Sequence, residues 1–202
     1  MTIFRSLENY INVVGFVFKK VVQMLEIRIH GRGGQGAVTA AQILAISAFY
    51  DGKQSQAFPR FGVERRGAPV EAFCRIDDTP INVRSQVYTP DVVLILEPSL
   101  IEAVDVTAGL KKGAPIIVNT GSSITYANLK DFKVHCVDAS KVALDIFKAD
   151  IVNTTILGAF SKVTGVVSLN AINKAIEDRF AGKPQVIDMN KQAVKRVYDQ
   201  VN

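Results

Sequence analysis

The sequence predicts a three-layer α/β/α fold with a largely parallel sheet, an antiparallel hairpin and a helical C-terminal part. Two observations carry this prediction. Apolar runs at 92–96, 115–118 and 134–137 are each followed by a loop, which is typical of strands buried in a parallel sheet. Residues 25–45 read as a strand, a glycine turn and a helix. Because 202 residues suit one substantial core, we expect a single domain over residues 24–202.

Residues 1–23 are predicted to be an N-terminal extension. Apolar residues recur there at roughly helical spacing, which favours an amphipathic extension. A stretch upstream of the true start at Met24 and a surface helix that docks on a partner are the alternatives. The segment lacks the charge order and cleavage site of a signal peptide, and its uncharged run at 9–18 is too short to span a bilayer. We therefore expect no membrane association.

The first strand alternates apolar and polar residues from Leu25 to His30, and a helix is predicted from Ala37 to Ala45. The turn between them is rich in glycine, which adopts backbone angles that other residues avoid and lets a ligand come close. The free N–H groups at the start of the helix favour an anion. The candidate binding residues of this turn are Gly31, Gly33, Gly34, Gln35 and Gly36.

The spacing Gly31-x-Gly33-x-x-Gly36 also fits the dinucleotide-binding pattern, which alone is weak evidence. Such a unit should continue into a second apolar strand that ends in an acidic residue about 20 residues on. Residues 51–59 are too polar for a central strand and contain Pro59. The nicotinamide or flavin interpretation is therefore disfavoured, and a turn that only packs the helix on the sheet is the other alternative.

Residues 56–70 form the second informative stretch, with two prolines, two glycines, two phenylalanines and three arginines. This composition excludes a regular helix and predicts an ordered loop held down by its aromatic side chains. Arg60, Arg65 and Arg66 are placed to bind phosphate or carboxylate, and Glu64 is a candidate to pin one of them. The alternative is that these arginines form salt bridges at a subunit contact.

The remaining elements follow from the hydrophobic pattern. Residues 70–76 and 81–83 are predicted to pair as an antiparallel hairpin around the turn at 77–80, and residues 100–110 are predicted to be helical. Ser168 and Asp188 are predicted N-caps. Apolar residues three or four apart predict C-terminal helices at 139–148, 153–163, 169–180 and 188–200.

The residues that could carry chemistry are few. Cys74 and Cys136 both lie in apolar runs and are predicted to be buried side chains; their use suits a reducing cytoplasm. No CxxC spacing is present, which argues against a zinc site or an iron–sulfur cluster held by this chain alone. His30 is placed to touch a ligand beside the glycine turn, while His135 has no partner at motif spacing. The net charge of +5 is scattered, which argues against nucleic-acid binding.

Residues 30–41, 58–70 and 153–160 together closely resemble the γ subunits of the 2-oxoacid:ferredoxin oxidoreductases, a family that includes pyruvate:ferredoxin oxidoreductase, or pyruvate synthase. The resemblance extends from Met24 to about Val201. It implies a complex that converts pyruvate and coenzyme A to acetyl-CoA and CO₂ and reduces ferredoxin. It also implies α, β and δ partner subunits, with thiamine diphosphate between α and β and iron–sulfur clusters in β and δ.

The resemblance implies a non-catalytic, structural role for this chain, with coenzyme A as its candidate ligand. The phosphates of coenzyme A suit both the glycine turn and the arginine loop. Three alternatives stay open: a scaffold that binds no small molecule, a γ subunit of a 2-ketoisovalerate enzyme, and a stand-alone dinucleotide-binding oxidoreductase.

Overall fold

The computed structural model describes residues 24–60, 65–123 and 126–201. The predicted extension at 1–23 and the pinning role of Glu64 lie outside these residues. No helix in the described ranges is long and apolar enough to cross a membrane.

The described residues form one six-stranded sheet in the order β2-β3-β1-β4-β5-β6. Neighbouring strands from β1 through β4 and β5 to β6 are parallel, whereas β3 is antiparallel to both β1 and β2. The predicted, largely parallel sheet with an antiparallel hairpin is confirmed. The strands are β1 (Leu25–Arg32), β2 (Gln54–Pro59), β3 (Pro69–Asp77), β4 (Val92–Ile95), β5 (Pro115–Asn119) and β6 (Lys133–Val137).

The hairpin joins β2 to β3, so the predicted pairing of 70–76 with 81–83 is wrong. Both edges of β3 are already occupied, by β1 and by β2. Residues 81–83 form no strand and belong to a segment that crosses the sheet face, where the Arg75 side chain donates to the carbonyl oxygens of Val83 (3.4 Å) and Gln86 (3.2 Å). Side-chain hydrogen bonds thus replace a strand ladder. Residues 51–59, which are too polar for a central strand, contain the edge strand β2, and this strand ends at Pro59.

The helices are α1 (Ala37–Tyr50), α2 (Leu100–Ala103), α3 (Ala139–Phe147), α4 (Val152–Thr155), α5 (Leu157–Thr164), α6 (Leu169–Arg179) and α7 (Pro184–Gln200), with a 3₁₀ turn at Ala127–Leu129. The predicted helix at 100–110 is wrong beyond Ala103. The Asp105 carboxylate accepts from the Thr107 N–H (3.0 Å) and hydroxyl (2.7 Å), and this local turn competes with helix.

Two further helix predictions need correction. The helix predicted at 153–163 is divided into α4 and α5 at Ile156. The last helix begins at Pro184 rather than 188, because proline is favoured at the first helical position; Asp188 is therefore interior and no N-cap. The predicted cap of α6 is confirmed, since the Ser168 hydroxyl accepts from the Ala171 N–H at 3.1 Å.

Apolar cores cover both faces of the sheet. Ile27 and Ile29 of β1 face the core that contains α1 and the C-terminal helices. The opposite core joins β4 and β5 to α2 and to the turns that follow it. Because side chains alternate along a strand, Arg28 and His30 lie on the face opposite α1, and this placement creates the cavity described below.

Candidate anion-binding site and a buried arginine cavity

The glycine turn closes on itself at the end of β1. The Arg32 N–H donates to Oε1 of Gln35 at 2.7 Å, and the Gln35 N–H donates back to the Arg32 carbonyl at 2.9 Å. Gly34 and Gly36 have φ values of 98° and 80°, in the left-handed region that favours glycine. The turn therefore needs glycine at these two positions to deliver the chain into α1.

The arginine loop is hydrogen-bonded to the glycine turn. The Gly33 N–H donates to the Ala68 carbonyl at 2.9 Å, and the Gly67 N–H donates to the Gly33 carbonyl at 3.0 Å. A Cβ on Gly33 would collide with the Arg65 carbonyl oxygen. The Arg32 guanidinium adds a bond to the Gly67 carbonyl at 3.0 Å. The two stretches, more than 30 residues apart in sequence, thus form one structural unit.

Positive charge converges on this unit. Arg65 and Arg66 are both exposed, and α1 begins behind the turn with Gly36 as its N-cap, a residue with no side chain to occupy the helix N–H groups. A Cβ on Gly36 would collide with the side-chain amide of Asn153 from α4. The third stretch of the family resemblance therefore also reaches the turn. This arrangement offers N–H groups and guanidiniums to an anion.

Arg60 has a different position from the other two candidate arginines. Its Nη1 forms an ion pair with Oε2 of Glu71 at 2.9 Å. Glu71 is the register partner of His30, so this pair lies on the sheet face opposite α1. Of the eight predicted site residues, seven lie at the turn and its attached loop, and Arg60 lines the cavity on the other face.

That cavity has a volume of about 590 Å³ and is lined by strands β1 and β3 together with residues 86–88 and 104–108. Sequence reasoning missed it, although the polar positions of β1 and β3 were the available signal. Its polar lining residues are Arg28, His30, Arg60, Glu71, Gln86, Tyr88 and Asp105.

His30 is only 1% exposed and acts as a neutral acceptor. Burial, together with the positive charges of Arg28 and Arg60, lowers the pKa of His30 to about 3. Nε of Arg28 donates to Nε2 of His30 at 3.1 Å, so the proton of the neutral ring is on Nδ1, which lies 3.7 Å from Oε1 of Glu71. The histidine ring thus lies between the Arg28 cation, to which it is hydrogen-bonded, and the Glu71 carboxylate.

The cysteines differ from each other. Cys74 is buried as predicted, and burial raises the pKa of its thiol. Cys136 is exposed, which contradicts the prediction, because its strand β6 lies at the edge of the sheet that the described residues form. Within the described ranges no group of three or more His, Cys, Asp or Glu residues could hold a metal ion.

The strand that follows α1 also bears on the dinucleotide interpretation. In a dinucleotide-binding unit, that strand lies parallel and next to the first one, and its terminal carboxylate holds the ribose. Here it is β2, at the edge of the sheet and separated from β1 by β3. The strand that follows α1 therefore does not meet this requirement.

Comparison with known proteins decides the family. Residues 26–200 match the family model described as pyruvate ferredoxin/flavodoxin oxidoreductase. The chain belongs to this family.

Relatives within the pyruvate ferredoxin/flavodoxin oxidoreductase family share almost their whole length with the chain. It is 52% identical over 181 residues to the pyruvate/ketoisovalerate oxidoreductases common subunit gamma of Thermococcus litoralis, covering 88% of this chain and 97% of the relative. It is 52% identical over 178 residues to the pyruvate synthase subunit PorC of Methanothermobacter marburgensis, covering 88% and 98%. The chain is thus a γ-type subunit of an oxidoreductase complex of this family.

A solved structure agrees with this family assignment. The crystal structure of pyruvate oxidoreductase subunit PORC from Thermotoga maritima matches with a TM-score of 0.77 and 41% identity, over 89% of this chain and 98% of that one. The match supports the sheet order and the C-terminal helices described above.

Proposed function

We propose that this chain is the γ subunit of a cytoplasmic pyruvate:ferredoxin oxidoreductase that converts pyruvate and coenzyme A to acetyl-CoA and CO₂ while reducing ferredoxin. The relatives' names, which mention pyruvate and ketoisovalerate, support the oxoacid class. A complex that accepts 2-ketoisovalerate is the second candidate, because the Thermococcus litoralis relative is a subunit common to both activities by name.

In this proposal the chain supplies a binding surface and no redox group. Cys74 is buried in β3 and Cys136 is exposed on β6, so the two thiols do not meet as a ligand pair. Iron–sulfur clusters and thiamine diphosphate are accordingly assigned to partner subunits α, β and δ. The isolated chain is then expected to show no turnover.

The phosphates of coenzyme A are proposed to bind where the arginine loop meets the glycine turn. The single observation that carries this is the pair of backbone hydrogen bonds, from Gly33 to Ala68 and from Gly67 to Gly33, which hold two exposed arginines beside the start of α1. A phosphate there would accept charge-assisted hydrogen bonds from Arg65 and Arg66 and from backbone N–H groups.

The test is the assembled complex carrying Arg65→Ala and Arg66→Ala. We expect the apparent KM for coenzyme A to rise at least tenfold, since one lost charge-assisted hydrogen bond weakens binding by about that factor. Decarboxylation of pyruvate should persist. The control is Arg84→Ala, which removes one positive charge, as each of the two replacements does, from an exposed residue outside both the glycine turn and the cavity lining.

Two results would redirect the proposal. An unchanged KM together with failed assembly would identify the loop as a subunit contact. An unchanged KM in an intact complex would remove the glycine turn from coenzyme A binding altogether.

A further inference from the structure

Arg28 carries a buried positive charge without a matching ion pair. Arg28 is 5% exposed, and it forms no salt bridge within the described part of the chain. Charged side chains are almost never so buried unless they are paired, because the cost of removing a charge from water is large. No carboxylate is therefore in direct contact with the guanidinium, and the charges of Glu71 and Asp105 act on it only from a greater distance.

The hydrogen bonds of Arg28 go to neutral groups. Nε donates to His30, and Nη2 donates to the carbonyl oxygens of Val106 (3.0 Å) and Ala108 (2.8 Å). These bonds fix the plane of the guanidinium and leave Nη1 without a protein partner in the described ranges. Two polar side-chain atoms in these ranges are both fully enclosed and without a partner, Asn173 Oδ1 and Asn190 Oδ1. Nη1 of Arg28 is not one of them, so it is accessible, and the cavity that Arg28 lines is the space it faces.

The surroundings of Nη1 favour an anion of charge −1. Glu71 and Asp105 both line the cavity, and they would repel a singly charged anion about half as strongly as a doubly charged phosphate. Glu71 is engaged by Arg60, and Asp105 accepts from Thr107, so neither carboxylate is in an ion pair with Arg28. A carboxylate is planar, carries one charge and matches the geometry of a guanidinium edge.

The walls leave room for a small organic molecule. Tyr88 lines the cavity and is 70% exposed, so the cavity is open to solvent at this residue. Gly109, with φ of 72°, lets the turn at 104–108 approach the segment around Tyr88, because a Cβ there would collide with the Tyr88 carbonyl oxygen. The volume of about 590 Å³ falls within the range of small-molecule sites.

We propose that this cavity binds a small monocarboxylate, with its carboxylate on Nη1 of Arg28. The site lies on the face of β1 opposite α1, so it does not depend on coenzyme A binding at the glycine turn. Because each site has its own arginines, either of the two binding proposals can be refuted without affecting the other.

The test is isothermal titration calorimetry of the full-length chain with acetate, lactate and benzoate, and with inorganic phosphate as the competing anion. At least one carboxylate should bind at one site per chain, at least tenfold more tightly than phosphate. Arg28→Gln should weaken that binding at least tenfold, since it removes a charge-assisted contact. Arg84→Gln is the control with the same change of charge at an exposed residue, and it should bind like the wild type.

A second variant keeps the test decisive if Arg28→Gln does not fold. Ala108 is exposed and lines the cavity, so Ala108→Phe should obstruct the site without disturbing a core residue. Circular dichroism checks its fold, and carboxylate binding should be lost. Absence of saturable binding by every carboxylate, phosphate binding as tight as carboxylate binding, or undiminished binding in folded Arg28→Gln or Ala108→Phe would each overturn the proposal.

Discussion

Replacement of Gly33 by alanine tests whether the arginine loop and the glycine turn are one unit. The new Cβ would collide with the Arg65 carbonyl oxygen, which is backbone and cannot rotate away as a side chain does. The loop must therefore move, and the hydrogen bonds that link Gly33 to Ala68 and Gly67 are lost with it. At about 1 kcal/mol net for each bond, we expect a loss of about 2 kcal/mol in the free energy of unfolding.

The assay separates loop detachment from general destabilisation. Gly182→Ala is the matched control: Gly182 has φ of 81° and open space around it, so alanine there costs about 1 to 2 kcal/mol of backbone strain and moves no loop. Urea unfolding gives the two stability losses. Hydrogen exchange at the Gly33 and Gly67 amides should accelerate in Gly33→Ala only. Unchanged exchange at these amides in Gly33→Ala would refute the coupling of loop and turn.

Three further predictions concern buried charges and thiols. Arg75→Met should lower the free energy of unfolding by about 3 kcal/mol in urea titrations, because it leaves the partly buried Glu26 carboxylate without its ion-pair partner. In the wild type, Nε of Arg75 lies 2.8 Å from that carboxylate. A loss below about 1 kcal/mol would contradict the prediction. One thiol per native chain should react with a thiol reagent, exposed Cys136 but not buried Cys74, and rapid labelling of two would contradict the burial of Cys74. His30 is held neutral, with a folded pKa of about 3. Its contribution to the free energy of unfolding is therefore complete above its unfolded pKa of about 6.5, and it falls by up to about 1.4 kcal/mol per pH unit as the pH drops from that value towards the folded pKa. An NMR experiment in which His30 titrates near pH 6.5 would refute this prediction.

The sequence was sufficient for the elements whose pattern is set locally. The alternation in β1 and the apolar runs of β4, β5 and β6 follow from burial of one or both faces, and the structure has these strands within a few residues of the predictions. The cap at Ser168 is likewise a local interaction. These features need no knowledge of distant residues.

The errors arise where the local structure is determined by residues that are distant in sequence. Residues 81–83 have the composition of a strand, but the buried Arg75 side chain holds that segment across the sheet face through backbone carbonyls. The polar strand β2 is stable because it lies at an edge, which composition alone does not specify. The cavity depends on Arg28 reaching carbonyl groups 78 and 80 residues away in sequence. The alternation in β1 places Arg28 on the polar face of the strand, but it does not signal that this arginine is buried.

The position of coenzyme A in the assembled complex tests the central claim most directly. A crystal or cryo-electron microscopy structure of the complex with coenzyme A should place its phosphates within hydrogen-bonding distance of Arg65 or Arg66 and of the backbone N–H groups of the glycine turn. Coenzyme A phosphates bound away from this turn, with Arg65 and Arg66 instead paired to carboxylates of a partner subunit, would contradict the account.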